Sequence, residues 1–208
     1  IDALVDAQSH IDGYFFLEES LSPALLDAMQ KVCPITPNQD GAETPAYVYS
    51  HYFLGRRATA LARIDLLNKL SQNFDVTVYT HADCKDILPT AIYGGKIDYY
   101  DTMPTVFQHS KINLNITLKT IQTGIPLRAW DILGCSGFLL TNFQQELCDF
   151  FIPGEDFVYY ESPADAIEKA AYFLSHDRER QEIAHNAFEK IAASHTFHHR
   201  VQSMFDII

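Results

Sequence analysis

From residue 57 onward, short apolar or β-branched runs alternate with amphipathic stretches. This order limits the possible folds more than any other feature of the chain. Residues 57–72 place Leu61, Ile64, Leu67 and Leu70 on one helical face. Phe74 to Tyr79 is rich in β-branched and aromatic residues and predicts a strand. A short helix is expected around Met103 to Phe107, then a strand over 112–116 and a helix over 126–135. A buried strand over 137–141, a short helix over 143–151 and a strand over 157–160 complete the series. Gly94-Gly95 reads only as a turn. Strands that alternate with helices form a parallel sheet covered on both faces. The strands near 76–79, 112–116, 137–141 and 157–160 are therefore expected side by side. Ligands of such sheets bind beyond the carboxyl ends of the strands, which directs attention to the loops that follow them.

The two ends of the chain read as helical. Ser22-Pro23 is a cap followed by a first-turn proline, with Leu25, Leu26 and Met29 as apolar positions. The Pro34–Gly41 stretch is a loop and the one candidate boundary. A helical segment over 1–45 and an α/β unit over 46–208 are expected. In the tail, Ser162-Pro163 opens a helix with Ile167, Ala170, Ala171 and Leu174 as its stripe. Asp177 is expected to cap the next helix, and Thr196 a last one carrying Val201, Met204, Phe205 and Ile208.

Charge excludes some partners. The chain has 15 Lys and Arg against 27 Asp and Glu, a formal net charge of −12. Such a surface repels polyanions, so nucleic acid and anionic membrane are poor partners. No apolar run approaches the roughly 18 residues of a membrane-spanning helix, so no membrane insertion is expected. The start, IDALVDAQSH, lacks the basic and cleavage regions of a signal peptide and has no initiating Met. A fragment of a longer protein is expected. The four cysteines, Cys33, Cys84, Cys135 and Cys148, form no C-x-x-C pair and read as free thiols in a reducing, cytoplasmic setting. The sequon at Asn115 falls in a buried strand. His195, His198 and His199 lack a nearby third ligand and read as capping and surface residues, so no metal is expected.

Chemistry concentrates between residues 113 and 141. A polar loop, Thr117 to Thr123, follows the strand, and Gly124-Ile125-Pro126 opens a helix. Free backbone N–H groups and the positive helix end make such a start a ready anion site. Arg128 lies in the first turn, where a cation opposes the helix dipole and calls for an anion, and its planar fork suits phosphate. Asp131 follows three residues later and could accept hydrogen bonds from vicinal hydroxyls. The alternative is a plain Arg128–Asp131 surface pair. Lys111 lies at the amino end of its strand, away from these loops.

Several segments together resemble the donor-binding half of GT-B glycosyltransferases, and most closely the bacterial group related to the spore maturation protein CgeB. They are Asp98-Tyr99-Tyr100-Asp101-Thr102-Met103-Pro104, Ser110-Lys111-Ile112-Asn113-Leu114-Asn115, Gly124-Ile125-Pro126-Leu127-Arg128 and Asp131-Ile132-Leu133-Gly134-Cys135. Gly137-Phe138-Leu139-Leu140-Thr141-Asn142 and His195-Thr196-Phe197 with Arg200 complete them. The resemblance implies a Rossmann-like domain that holds a nucleoside diphosphate sugar as donor substrate, with no further cofactor. It places Gly124 and Arg128 at the phosphates and Asp131 at the ribose. Broader relatives carry Glu-x7-Glu across this loop and helix. Here Asp131 stands at the second position and Thr123 at the first, a departure at the sugar contact. Tyr99 and Tyr100 fall where relatives hold the base, as stacking rings or as core residues. Thr141 and Asn142 complete the implied donor-binding set. The resemblance also implies that an N-terminal acceptor half of the same parent protein, with the general base, is missing and that the fragment alone is inactive. The alternative is a non-catalytic binding or assembly module that has lost the donor site. A dinucleotide-dependent oxidoreductase ranks last, since no G-x-G-x-x-G follows a strand.

Overall fold

The computed structural model describes residues 1–206 except Asp12, Asn38, Gln39, Asp40 and Ala42. Part of the expected Pro34–Gly41 loop, and Ile208 of the expected last apolar face, thus lie outside the described residues. Helices α1 (Asp2–Ser9) and α2 (Pro23–Val32) come first. Ser22 caps α2 by accepting the Leu25 N–H at 3.3 Å. Helix α3 (Pro45–Val48) runs through a π-helical stretch, Tyr49–Gly55, into α4 (Arg56–Ser71). Strands β1 (Thr77–Tyr79) and β2 (Ile92–Gly95), helix α5 (Met103–His109), β3 (Asn113–Asn115) and α6 (Leu127–Gly134) follow. Then come β4 (Leu139–Asn142), a short 3-10 turn over Gln145–Asp149, β5 (Val158–Tyr160), α7 (Pro163–Ser175), α8 (Asp177–Ser194) and α9 (Phe197–Phe205). No helix among the described residues is long and apolar enough to cross a membrane.

The α/β architecture is the expected one. Strands β3, β4 and β5 pair in parallel in that order, with Leu114 opposite Leu140 and Thr141 opposite Tyr159. Side chains alternate along a strand, so each strand feeds two layers. Leu140, Val158 and Tyr160 join Leu66 and Leu70 of α4 and Ala166, Ala170 and Phe173 of α7. Leu139 turns the other way, to Ala129, Ile132 and Leu133 of α6 and Ala187 of α8. A third cluster joins Val5, Phe15, Leu17 and Leu21 to Tyr49, Leu54 and Ala58, so the first residues pack on the start of α4.

Two expectations about strands are corrected. Residues 76–79 do not lie in the sheet of the other three: β1 pairs in parallel with β2 in a separate two-stranded sheet. Gly94 and Gly95, read as a turn, end β2. Backbone bonds flank this pairing: the Ile92 N–H donates to the Val76 carbonyl at 2.8 Å and the Thr80 N–H to the Gly95 carbonyl at 2.9 Å. The Tyr79 ring lies over Gly94, where a Cβ would sit 2.6 Å from Cε1, so a side chain there would require the ring to move. Phe74 and Val76 pack against the α4–α7 cluster instead of extending β1. Asp177 is the first residue of α8, not its cap; its carboxylate meets Arg180 at 2.7 Å, and His176 precedes the helix. Thr196 does cap α9, in a reciprocal box with His199. Cys33, Cys84, Cys135 and Cys148 are free thiols, and Asn115 is buried in β3.

Candidate functional site

The site gathers at the carboxyl side of the parallel strands, between the loop after β2 and helix α6. Buried Ala129, Ile132 and Leu133 hold α6 against the sheet. Arg128 and Asp131 lie on its more open side. Facing them, the loop after β2 is shaped by Asp98, whose Oδ1 accepts the N–H groups of Tyr100 and Asp101, both at 2.8 Å. These bonds to Asp101 and Tyr100 hold the Asp98 carboxyl below its ordinary range. Tyr99 then reaches across, and its hydroxyl donates to both carboxylate oxygens of Asp131, at 2.8 and 2.9 Å. That hydrogen bond, with partial burial and the Asp131 charge, raises the Tyr99 pKa, while Arg128 works in the opposite direction. The phenol therefore keeps its proton and stays a donor.

Arg128 does not pair with Asp131. Its guanidinium turns to α5, contacting the Met103 sulfur and lying 5.3 Å from the Phe107 ring centre. Tyr100 is 83% exposed and stands edge-on to Tyr99, with ring centres 5.0 Å apart. Tyr99 is 43% exposed, so neither ring belongs to the core. Gly124 adopts φ +89°, a conformation that favours glycine, and its N–H donates to Glu146 Oε2 at 2.7 Å. The remaining residues of the expected set lie elsewhere. Thr141 is buried and accepts from Asn115 Nδ2 at 3.0 Å, while Asn142 Oδ1 accepts the Thr117 N–H at 2.8 Å. Thr123 borders a separate open hollow with Glu18, Glu19, Tyr47 and His51. Lys111 sits 3.9 Å from Asp177, at the amino end of β3.

Helix α6 is also braced at Trp130, near its middle. The His195 ring lies 5.4 Å from Trp130 and from Phe150, and Arg200 stacks over the same two rings. The Arg200 guanidinium meets His195 Nδ1 at 3.0 Å, which fixes that nitrogen as an acceptor. Burial, then the Arg200 charge, then His199 lower the His195 pKa. The unfolded chain thus takes up this proton more readily than the native one. The contribution of the neutral ring to stability is complete above the ordinary histidine pKa of about 6.5 and is lost as pH falls from there through the lowered native value. Urea midpoints measured between about pH 8 and about pH 5.5 should fall more for wild type than for His195→Gln, which keeps an acceptor without a titrating group.

Two of these contacts carry no signal in the sequence. Glu146 reads as one acid in a short helix, and Met103 as an apolar residue. Only folding brings Glu146 to Gly124 and Met103 to Arg128.

Parallel strands flanked by helices make this a Rossmann-like α/β unit, a fold in which ligands bind beyond the carboxyl ends of the strands. The pattern of the glycosyl transferase-like family matches residues 57–206, which is most of the chain, and the chain belongs to that family. The general activity of this family is glycosyl transfer. No curated protein and no solved structure matches the chain.

Proposed function

We propose that the chain is the donor-binding half of a GT-B glycosyltransferase of the CgeB-like group, and that it holds a nucleoside diphosphate sugar. In this reading residues 46–208 form the donor-binding unit, and residues 1–45 are a helical segment that precedes it. The observation that carries the reading is the two-oxygen bond of Tyr99 to Asp131 beside Arg128 on α6. It leaves the remaining lone pairs of an oriented carboxylate for ribose hydroxyls, with the exposed Tyr100 ring available for a base. Arg128, one turn earlier, and the N–H groups that open α6 would take the diphosphate. Their positive charge would stabilise the leaving group as the bond to the sugar breaks. The acceptor and the base that deprotonates it would come from the other half of the enzyme. The apolar face of α9, where Phe197 is 90% and Phe205 69% exposed, is where that half would pack. The exposed free thiols Cys33 and Cys148 fit a cytoplasmic setting.

One observation favours a second reading, a module that no longer binds a donor. The Glu146 carboxylate occupies the Gly124 N–H that a phosphate would use. Calorimetry with nucleosides, nucleoside diphosphates and nucleotide-sugars separates the two. Binding of one nucleotide class supports the donor-binding half, and no binding by the folded chain supports the assembly module. Under the first reading Asp131→Ala should weaken nucleoside and nucleotide alike, and Asp131→Asn should do so less. Tyr99→Phe should cost about 0.5–1.5 kcal/mol, two- to tenfold in affinity, by freeing the carboxylate to rotate. Affinities that do not change in Tyr99→Phe and Asp131→Ala would remove both residues from the site.

A further inference from the structure

The loop ahead of α6 already holds an anion of the protein's own. The Gly124 N–H donates to Glu146 Oε2 at 2.7 Å, across 22 residues. Gly124 is exposed, and no atom from beyond its chain neighbours lies within 4 Å of the place a Cβ would take. Glu146 is not a helix cap: no side chain caps α6, which starts three residues later at Leu127. The turn that carries Glu146 is fixed at its base, because Leu147 is 1% exposed and packs with Ala129 and Ile132 of α6. The Glu146 side chain is held less firmly. It is half-buried, and the Gly124 N–H is its one bond among the described residues. A carboxylate so placed has lost part of its hydration and has a single backbone donor in return. A diphosphate brings more charge and more acceptor oxygens than one carboxylate and can take its place.

We propose that the Glu146 carboxylate is an internal competitor for phosphate: it occupies the Gly124 N–H in the empty site, swings out when a nucleoside diphosphate group binds, and so sets how strongly the site holds that group. The inference rests on the donor-binding reading above. A ligand whose phosphates use the Gly124 N–H binds only the fraction of molecules in which Glu146 has swung away, and its apparent affinity falls by that fraction. A nucleoside has no phosphate to place there and escapes the penalty. Like charge acts in the same direction, since carboxylate and phosphate repel at close range. The consequence falls at the end of a turnover. The phosphate freed from the sugar gains an ionisable oxygen, and the returning carboxylate weakens the hold on the leaving nucleoside diphosphate.

The test is calorimetry of the 208-residue chain as wild type, Glu146→Ala and Glu146→Gln. The probes are UDP, GDP, ADP, CDP and dTDP and the matching nucleosides. Glu146→Ala should strengthen binding of the nucleoside diphosphate about five- to thirtyfold, the effect of losing a charged hydrogen bond at a half-buried position, and leave nucleoside affinity unchanged. Glu146→Gln should gain less, since its amide oxygen still accepts from Gly124 but carries no charge. It keeps the shape of the side chain and carries the test if the alanine variant does not fold. A diphosphate that binds the variants but not wild type supports the proposal equally. Amide NMR of the ligand-free chains reads the contact itself: the Gly124 amide proton should move upfield in Glu146→Ala. Equal or weaker diphosphate affinity in both variants, or a Gly124 amide proton that stays in place, would overturn the inference and leave the donor-binding reading standing. No diphosphate binding by wild type or by either folded variant would overturn both.

Discussion

Replacing Arg128 with alanine should lower the affinity for a nucleoside diphosphate about ten- to a hundredfold and leave the affinity for the bare nucleoside nearly unchanged. The magnitude follows from the charge-assisted bonds the guanidinium would make to phosphate oxygens, about 1.5–3 kcal/mol each. The selectivity follows from its position. Arg128 lies in the first turn of α6, beside the N–H groups of the helix start, while Asp131 lies a turn later against Tyr99. A purely structural Arg128 predicts another result. Its guanidinium already rests on Met103 and over Phe107, and loss of that contact would cost about 0.5–1 kcal/mol of stability with no change in ligand affinity. Calorimetry of folded wild type and Arg128→Ala with nucleoside and nucleoside diphosphate distinguishes the two. Equal diphosphate affinities would take Arg128 out of the donor site.

Lys190→Ala should destabilise the fold by about 3–5 kcal/mol, far more than loss of a surface ion pair. Its partner, Asp156, is 1% exposed in the turn before β5. Asp156 Oδ2 accepts the Ile152 N–H at 2.6 Å and pairs with the Lys190 ammonium, and Oδ1 has no partner among the described residues. Removal of the lysine leaves a buried carboxylate with one backbone donor and no countercharge. Asp156→Asn in the Lys190→Ala background should recover part of the loss, because the neutral amide can still accept from Ile152. Urea denaturation of the single and double variants tests this. A Lys190→Ala loss of less than about 1 kcal/mol would show that water reaches Asp156.

Local chemistry made much of the fold legible. Leu61, Leu67 and Leu70 at helical spacing, Ser22 and Ser162 before proline, and Thr196 before α9 are short-range signals, and each element formed where its signal lies. The apolar run over 137–141 became β4, which is buried on both faces. The grouping of the strands was not legible. A strand's period states which side chains share a face, not which strand lies beside it. In the pairing of β1 with β2 the Tyr79 ring comes to rest over Gly94, residues 15 apart that read separately as a strand end and a turn.

The candidate site divides in the same way. The sequence by itself determined which acids, bases and rings follow the strands. It placed Arg128 and Asp131 within one turn of a single helix and Gly124 at the start of that helix, because these relations span only a few residues. The tertiary structure alone decided their partners. Tyr99 reaches Asp131 across 32 residues, Glu146 reaches the Gly124 N–H across 22, and Arg128 turns to Met103 across 25. Such contacts form only when packing of α6 on β4 has set the distance between the loops. Hydrogen-bond distance is a property of that packing, which no local spacing contains.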